Sequence, residues 1–150
     1  MQKIQGFVND QGAAILGGVS GHAGLFSNAN DIAKIMQMYL WKGSYGSITY
    51  LKPETLDLFN TCNYCDVDVR RGVGFDKPQL EDVGPTCGCV SMDSFGHSGF
   101  TGTFTWADPE EEIIYVFLSN RTYPDATNRK IIKNNLRSDI QELIYQSIEY

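Results

Sequence analysis

An α+β fold is predicted for this chain by three patterns in its apolar residues. Ile32, Ile35, Met36, Tyr39 and Leu40 recur at i, i+3, i+4, i+7 and i+8, which is one face of a helix. From Phe100 to Trp106 the sequence alternates: Phe100, Gly102, Phe104 and Trp106 fall on one side, Thr101, Thr103 and Thr105 on the other, as in a strand. Near the C-terminus Ile132, Leu136, Ile140, Leu143, Ile144 and Ile148 return to the helical interval. Helices packed on an antiparallel sheet of about three strands, with a long C-terminal helix covering it, satisfy all three patterns.

The elements follow in order. Residues 12–26, GAAILGGVSGHAGLF, are rich in glycine and poor in charge, and predict a loop packed tightly beneath other elements. His22 within it reads as a buried, hydrogen-bonded histidine rather than a catalytic one. Ser27, Asn28 and Asn30 offer capping side chains ahead of the first long helix, and Gly43 closes it. A short strand or turn at Gly46–Tyr50 precedes Pro53, which at a first helical position and followed by Glu54 and Asp57 marks a second helix. Residues 60–94 are irregular, with one short strand expected at Gly72–Phe75. Turn residues at Ala107–Glu111 join the alternating strand to Ile113–Leu118, whose unbroken apolar run predicts a strand covered on both faces. The last helix is expected over 130–149.

Composition excludes several functions. A chain of 150 residues is long enough for one domain with a core. Its formal net charge of −6 leaves no excess of cations to neutralise phosphates, so no nucleic-acid partner is expected. No apolar run approaches the roughly 18 residues of a membrane span. The opening MQKIQGFVNDQGAA lacks the charged-then-apolar order of a signal peptide and reads as the interior of a longer chain headed by an added Met.

Four cysteines lie in two close pairs, Cys62/Cys65 and Cys87/Cys89. Three states fit this spacing: disulfides in an oxidising compartment, free buried thiols, or four thiolates converging on one zinc ion in a small metal-stabilised domain.

Most catalytic signatures are absent. The sequence holds no Walker loop, no H-E-x-x-H, no EF-hand and no G-x-G-x-x-G between strand and helix, so no cofactor is expected. Both Gly96-His-Ser-Gly-Phe100 and Gly18-Val-Ser-Gly-His22 lack the final glycine of a nucleophile elbow. Glu110–Glu112 reads as a solvated face. One partial set remains at the start of the alternating strand. His97 can carry a proton or hold a carboxylate, Ser98 can hydrogen-bond a ligand, Gly99 leaves the backbone open, and the Phe100 N–H can donate to an oxyanion.

These residues carry a resemblance. FGHSGFTGTFTWADPEEEIIYVFLSNR resembles the third motif region of the serine β-lactamase and penicillin-binding-protein superfamily, which reads Lys-Thr-Gly in many members and His-x-Gly in esterase and peptidase relatives. GHAGLFSNANDIAKIMQMYL resembles the Gly-rich turn and following helix of that family, and GFDKP the strand before the third motif. GFVNDQGAAILGGVSGHAGLFSNANDIAKIMQMYL and RRGVGFDKP look still more like the serine-hydrolase-like module behind a family-3 glycoside hydrolase (β-N-acetylglucosaminidase) in Bacteroidetes envelope proteins. The likeness covers nearly the whole chain and is least clear at 60–69 and 77–93.

Two departures accompany it. No serine has a lysine three residues on, and no tyrosine or serine has an asparagine two residues on, so the Ser-x-x-Lys and Tyr/Ser-x-Asn motifs are missing. The resemblance therefore implies one partial domain over 1–150, the C-terminal part of a β-lactamase/transpeptidase-like fold. Its nucleophile would lie in a missing N-terminal part, its parent would act by acyl transfer on an amide or ester in the periplasm or envelope, and the piece itself would be inactive and prone to self-association. The alternative is a non-catalytic module that binds a wall peptide or a protein partner along the strand edge.

Overall fold

The computed structural model describes residues 5–80 and 84–148. Each early element starts where the sequence supplies a cap. Helix α1 (Gln11–Ile15) opens on Asp10, whose carboxylate accepts the Ala13 N–H at 2.8 Å. Helix α2 (Ala29–Leu40) opens on Asn28, whose Oδ1 accepts the Asp31 N–H at 3.0 Å. Gly43 turns the chain away from α2 at φ +95°, with its missing Cβ directed at the Leu51 carbonyl, so only glycine fits. A small hairpin of β1 (Ser44–Tyr45) and β2 (Ile48–Thr49) follows, then α3 (Pro53–Asn60), with proline in its first turn.

The centre of the molecule is a three-stranded antiparallel sheet, β3 (Phe95–Ser98), β4 (Phe104–Asp108) and β5 (Ile113–Phe117), in the order β3-β4-β5. Register decides what each face buries. Phe95, Ala107 and Ile114 stand in one cross-strand row and pack against Met36 of α2, with Ile32, Tyr39, Leu40 and Phe75 around them. Phe104, Trp106, Tyr115 and Phe117 stand on the opposite face, under Ile140 and Ile144 and beside Val90. The sheet thus has a helix on each face, which is why β5 reads as nearly continuous apolar sequence.

Buried polar groups are tied across these layers. Asp108, at the end of β4, accepts from the Ser91 N–H at 2.8 Å, the Ser91 hydroxyl at 2.5 Å, the Glu110 N–H at 3.1 Å and the Tyr145 hydroxyl at 2.6 Å. Burial pushes its carboxyl up, but these donors outweigh that and hold it below the ordinary value. The Trp106 indole donates to Ser94 Oγ at 2.9 Å, and buried Gln141 accepts the Cys87 N–H at 3.1 Å.

Several expectations need correction. The run from His97 to Trp106 is not one alternating strand; it belongs to a hairpin, β3 and β4, folded back through residues 99–103. Gly102 in that turn has φ +101°. Residues 72–75 form a tight turn between the Arg71 and Asp76 bridges rather than a strand, closed by the Gly72 N–H to Phe75 O at 2.9 Å.

The C-terminal helix is broken into α4 (Lys130–Lys133) and α5 (Leu136–Gln146) by Asn135 at φ 48°; its expected end at 149 lies outside the described residues, as does Met1. Residues 12–26 are largely exposed, not packed beneath other elements, and His22 is exposed too. Its ring is held at 2.9 Å by Asp10 and 2.8 Å by Ser20, so it is hydrogen-bonded as expected but not buried.

Candidate functional site

The four expected site residues sit together at the end of β3, on the outer edge of the sheet. Gly96 opens this region. It exchanges both backbone hydrogen bonds with Asp76, at 2.8 and 3.2 Å, so its polar groups face away from β4. Because backbone groups alternate along a strand, those of Ser98 face the same outer edge. A side chain at 96 would meet the Thr105 carbonyl and the Trp106 ring, which lies across the strand there. Glycine is therefore needed for this strand to lie flat on its neighbour.

His97 pairs with Thr105 across the sheet, on the face that carries Phe95, and its side chain is exposed. Its Nδ1 lies 2.8 Å from the Ser98 carbonyl oxygen and its Nε2 lies 2.7 Å from Nη2 of Arg71. Arg71 is held in turn by Asp76, whose Oδ1 is 2.8 Å from Nε. Sequence reading passed over Arg71 and Asp76, since they sit in a stretch with no periodicity, 26 and 21 positions from the histidine. The available signal was the RRGVGFDKP resemblance, which holds both Arg71 and Asp76 ahead of β3.

Ser98 is half-buried, and Gly99 and Phe100 are exposed. The turn that follows uses the Gly99 N–H, donated to Thr103 O at 2.7 Å, and the Gly102 N–H, donated to Gly99 O at 2.9 Å. The Phe100 N–H takes no part in these bonds. The Phe100 ring lies under the Arg121 guanidinium, 4.5 Å from its centroid. Two guanidinium groups thus flank this end of β3, although the chain carries a net charge of −6. The arrangement offers an aromatic imidazole, open strand-edge groups and fixed positive charge, which suits an anionic or polar ligand lying along β3.

The site lies on open surface. A cavity of about 470 Å³ between α2, α3 and the loop before β3 is lined by Tyr39, Leu56, Phe59, Lys77 and Phe95, but not by His97. A second, of about 730 Å³, lies between residues 84–89 and the C-terminal helices. Lys77, almost buried, donates to the carbonyls of Asp93 and Ser94 at 2.9 and 3.3 Å, and burial lowers its pKa.

The zinc alternative is overturned by the cysteines themselves. Cys62 is bonded to Cys65 and Cys87 to Cys89, so no thiolate is left to ligate a metal.

Comparison with known proteins places this geometry. The family profile described as Beta-lactamase matches residues 3–137. A protein of Escherichia coli K12 named "Putative D-alanyl-D-alanine carboxypeptidase" is 41% identical over 122 residues, covering 80% of this chain and 28% of that protein. A protein of the same name from Salmonella agona is 37% identical over 133 residues, covering 87% and 30%. The chain therefore spans less than a third of the length of these relatives. The crystal structure of a β-lactamase from Mycobacterium bovis superposes with a TM-score of 0.62 at 20% identity, over 83% of this chain and 46% of that one. That likeness establishes a shared fold over the matched part. With most of its length matched by the family profile and with relatives at about two-fifths identity, this chain belongs to the β-lactamase family.

Proposed function

We propose that this chain is the C-terminal part of a serine hydrolase that performs acyl transfer on an amide or ester of the bacterial cell wall. The observation that carries this reading is the exposed His97 on the outer strand, within the run His-Ser-Gly-Phe and beside an open edge. In the whole protein a serine from the absent part would attack the acyl carbon. The Phe100 N–H would help hold the oxyanion, Ser98 would hydrogen-bond the ligand, Gly99 would let it approach, and His97 would handle substrate charge or protons. Relatives named "Putative D-alanyl-D-alanine carboxypeptidase" support a peptide substrate and a periplasmic or envelope location. Fusion to a family-3 glycoside hydrolase in a Bacteroidetes protein rests on the resemblance of residues 6–40 and 70–78 alone.

Without Ser-x-x-Lys, the 150-residue chain by itself is expected to be inactive. It should not hydrolyse a chromogenic β-lactam or an activated ester above its heat-treated control. Joined to the preceding part of a longer protein, activity should appear, and His97→Ala should then reduce it by ~10²–10⁴-fold. Saturable turnover by the isolated chain, or unchanged rates in the joined variant, would overturn the assignment. Absence of the same motif favours a second reading, a binding module for a wall peptide lying along β3. A longer sequence that still lacks Ser-x-x-Lys would decide for it.

A further inference from the structure

The two ring nitrogens of His97 have partners that leave one assignment. Nε2 faces Nη2 of Arg71 at 2.7 Å, and a guanidinium has donors only. Nδ1 faces the Ser98 carbonyl at 2.8 Å, and a carbonyl oxygen only accepts. The ring must therefore accept at Nε2 and donate from Nδ1. A proton placed on Nε2 would set two cations against each other across that distance and break the bond.

We propose that Arg71 is a positioning residue that fixes His97 as the neutral Nδ1–H tautomer, with Asp76 as its anchor. Asp76 is well placed for this. Its carboxylate holds Nε of Arg71 at 2.8 Å while its backbone is bonded on both sides to Gly96, the residue before His97. The guanidinium and the imidazole are thus referred to the same point of β3. In this arrangement His97 contributes a fixed ring whose acceptor nitrogen is occupied by the Arg71 guanidinium. This deepens the functional reading above and rests on it for the identity of the ligand, but the tautomer itself stands without any turnover.

The chain carries a built-in contrast. His22 has the reverse arrangement, with Nε2 donating to the Asp10 carboxylate at 2.9 Å and Nδ1 beside the Ser20 hydroxyl. A two-bond 1H–15N correlation spectrum of the 15N-labelled chain above pH 8 should therefore show one histidine of each tautomer, assigned with His97→Asn. Arg71→Met should convert His97 to the Nε2–H form or a mixture and leave His22 unchanged. Arg71→Lys, which keeps a cationic donor, should retain more of the Nδ1–H form, and Asp76→Asn should give an intermediate spectrum. An Nε2–H His97 in the unaltered chain overturns the proposal, as does an unchanged His97 in Arg71→Met. If Arg71→Met does not fold, Asp76→Asn decides, with no change counting against it. Should the spectra agree while His97→Ala leaves hydrolysis by the joined, longer protein intact, the positioning stands and the functional reading falls.

Discussion

Tyr145 donates a 2.6 Å hydrogen bond to Asp108, joining the last helix to the end of the central strand. The carboxylate is 1% exposed and receives three further hydrogen bonds, two of them from Ser91. Burial is the largest influence on the phenol and, with the neighbouring carboxylate, pushes its pKa well above the ordinary tyrosine range, so Tyr145 remains a donor.

Acid stability should depend on this cluster. The Asp108 carboxyl titrates lower in the folded chain than in the unfolded one, so its contribution is complete above the unfolded value near pH 4 and is lost as pH falls through the folded value. Tyr145→Phe should destabilise by about 1.5–3 kcal/mol near pH 7, the usual worth of a hydrogen bond to a charged group. Thermal unfolding followed from pH 7 to pH 2 checks both statements. An Asp108→Asn chain whose stability falls as steeply below pH 4 as that of the parent would contradict them.

Gly96 should tolerate no side chain. Gly96→Ala places a methyl against the Thr105 carbonyl and the buried Trp106 ring, and neither can give way without moving β4. Urea unfolding should show a loss of about 1–3 kcal/mol, the range for overpacking. Gly46→Ala has open space around it but sits at φ +61°, so a loss there would come from backbone conformation alone.

Peptide mapping without reduction should recover the pairs Cys62–Cys65 and Cys87–Cys89. Such short loops remove little freedom from the unfolded chain, so reduction should cost no more than about 2 kcal/mol per bond. Metal analysis should find no zinc, and a chelator should leave the melting temperature unchanged.

Self-association is expected of the isolated chain. Phe7, Ile15, Leu16, Val19, Leu25 and Phe26 are all at least 65% exposed within one 20-residue segment, although Asp10, Ser20 and His22 pin that segment in place. Apolar surface of this kind drives association. Sedimentation velocity should show species larger than 16.8 kDa whose proportion rises with concentration. Replacing Leu16 and Val19 by Ser should reduce them, and a concentration-independent monomer before substitution would contradict the expectation.

Local chemistry made the helices legible. Asn28, Gly43 and Pro53 act through their own backbone and side chains within a few residues, and the structure starts or stops helices where they stand. The α+β class and the two-sided burial of Ile113–Phe117 followed from periodicity in the same way. Alternation was less informative at 100–106, because a hairpin turn and a continuing strand share the same two-residue period until glycines reverse the chain. The helix over 130–149 kept its apolar interval through Asn135, so spacing alone did not reveal a break that depends on one residue's φ.

The sequence by itself determined the sheet-and-helix class, the caps and the candidate run His97–Phe100, since each is set by neighbours within one or two turns of chain. Only the tertiary structure decided that Arg71 and Asp76 belong to His97 and that the cysteines close locally. It also decided that the glycine-rich segment lies open. Those outcomes depend on which distant segments meet at the edge of β3 and which meet nothing, and hydrogen bonds between residues 26 positions apart leave no periodic mark in the chain.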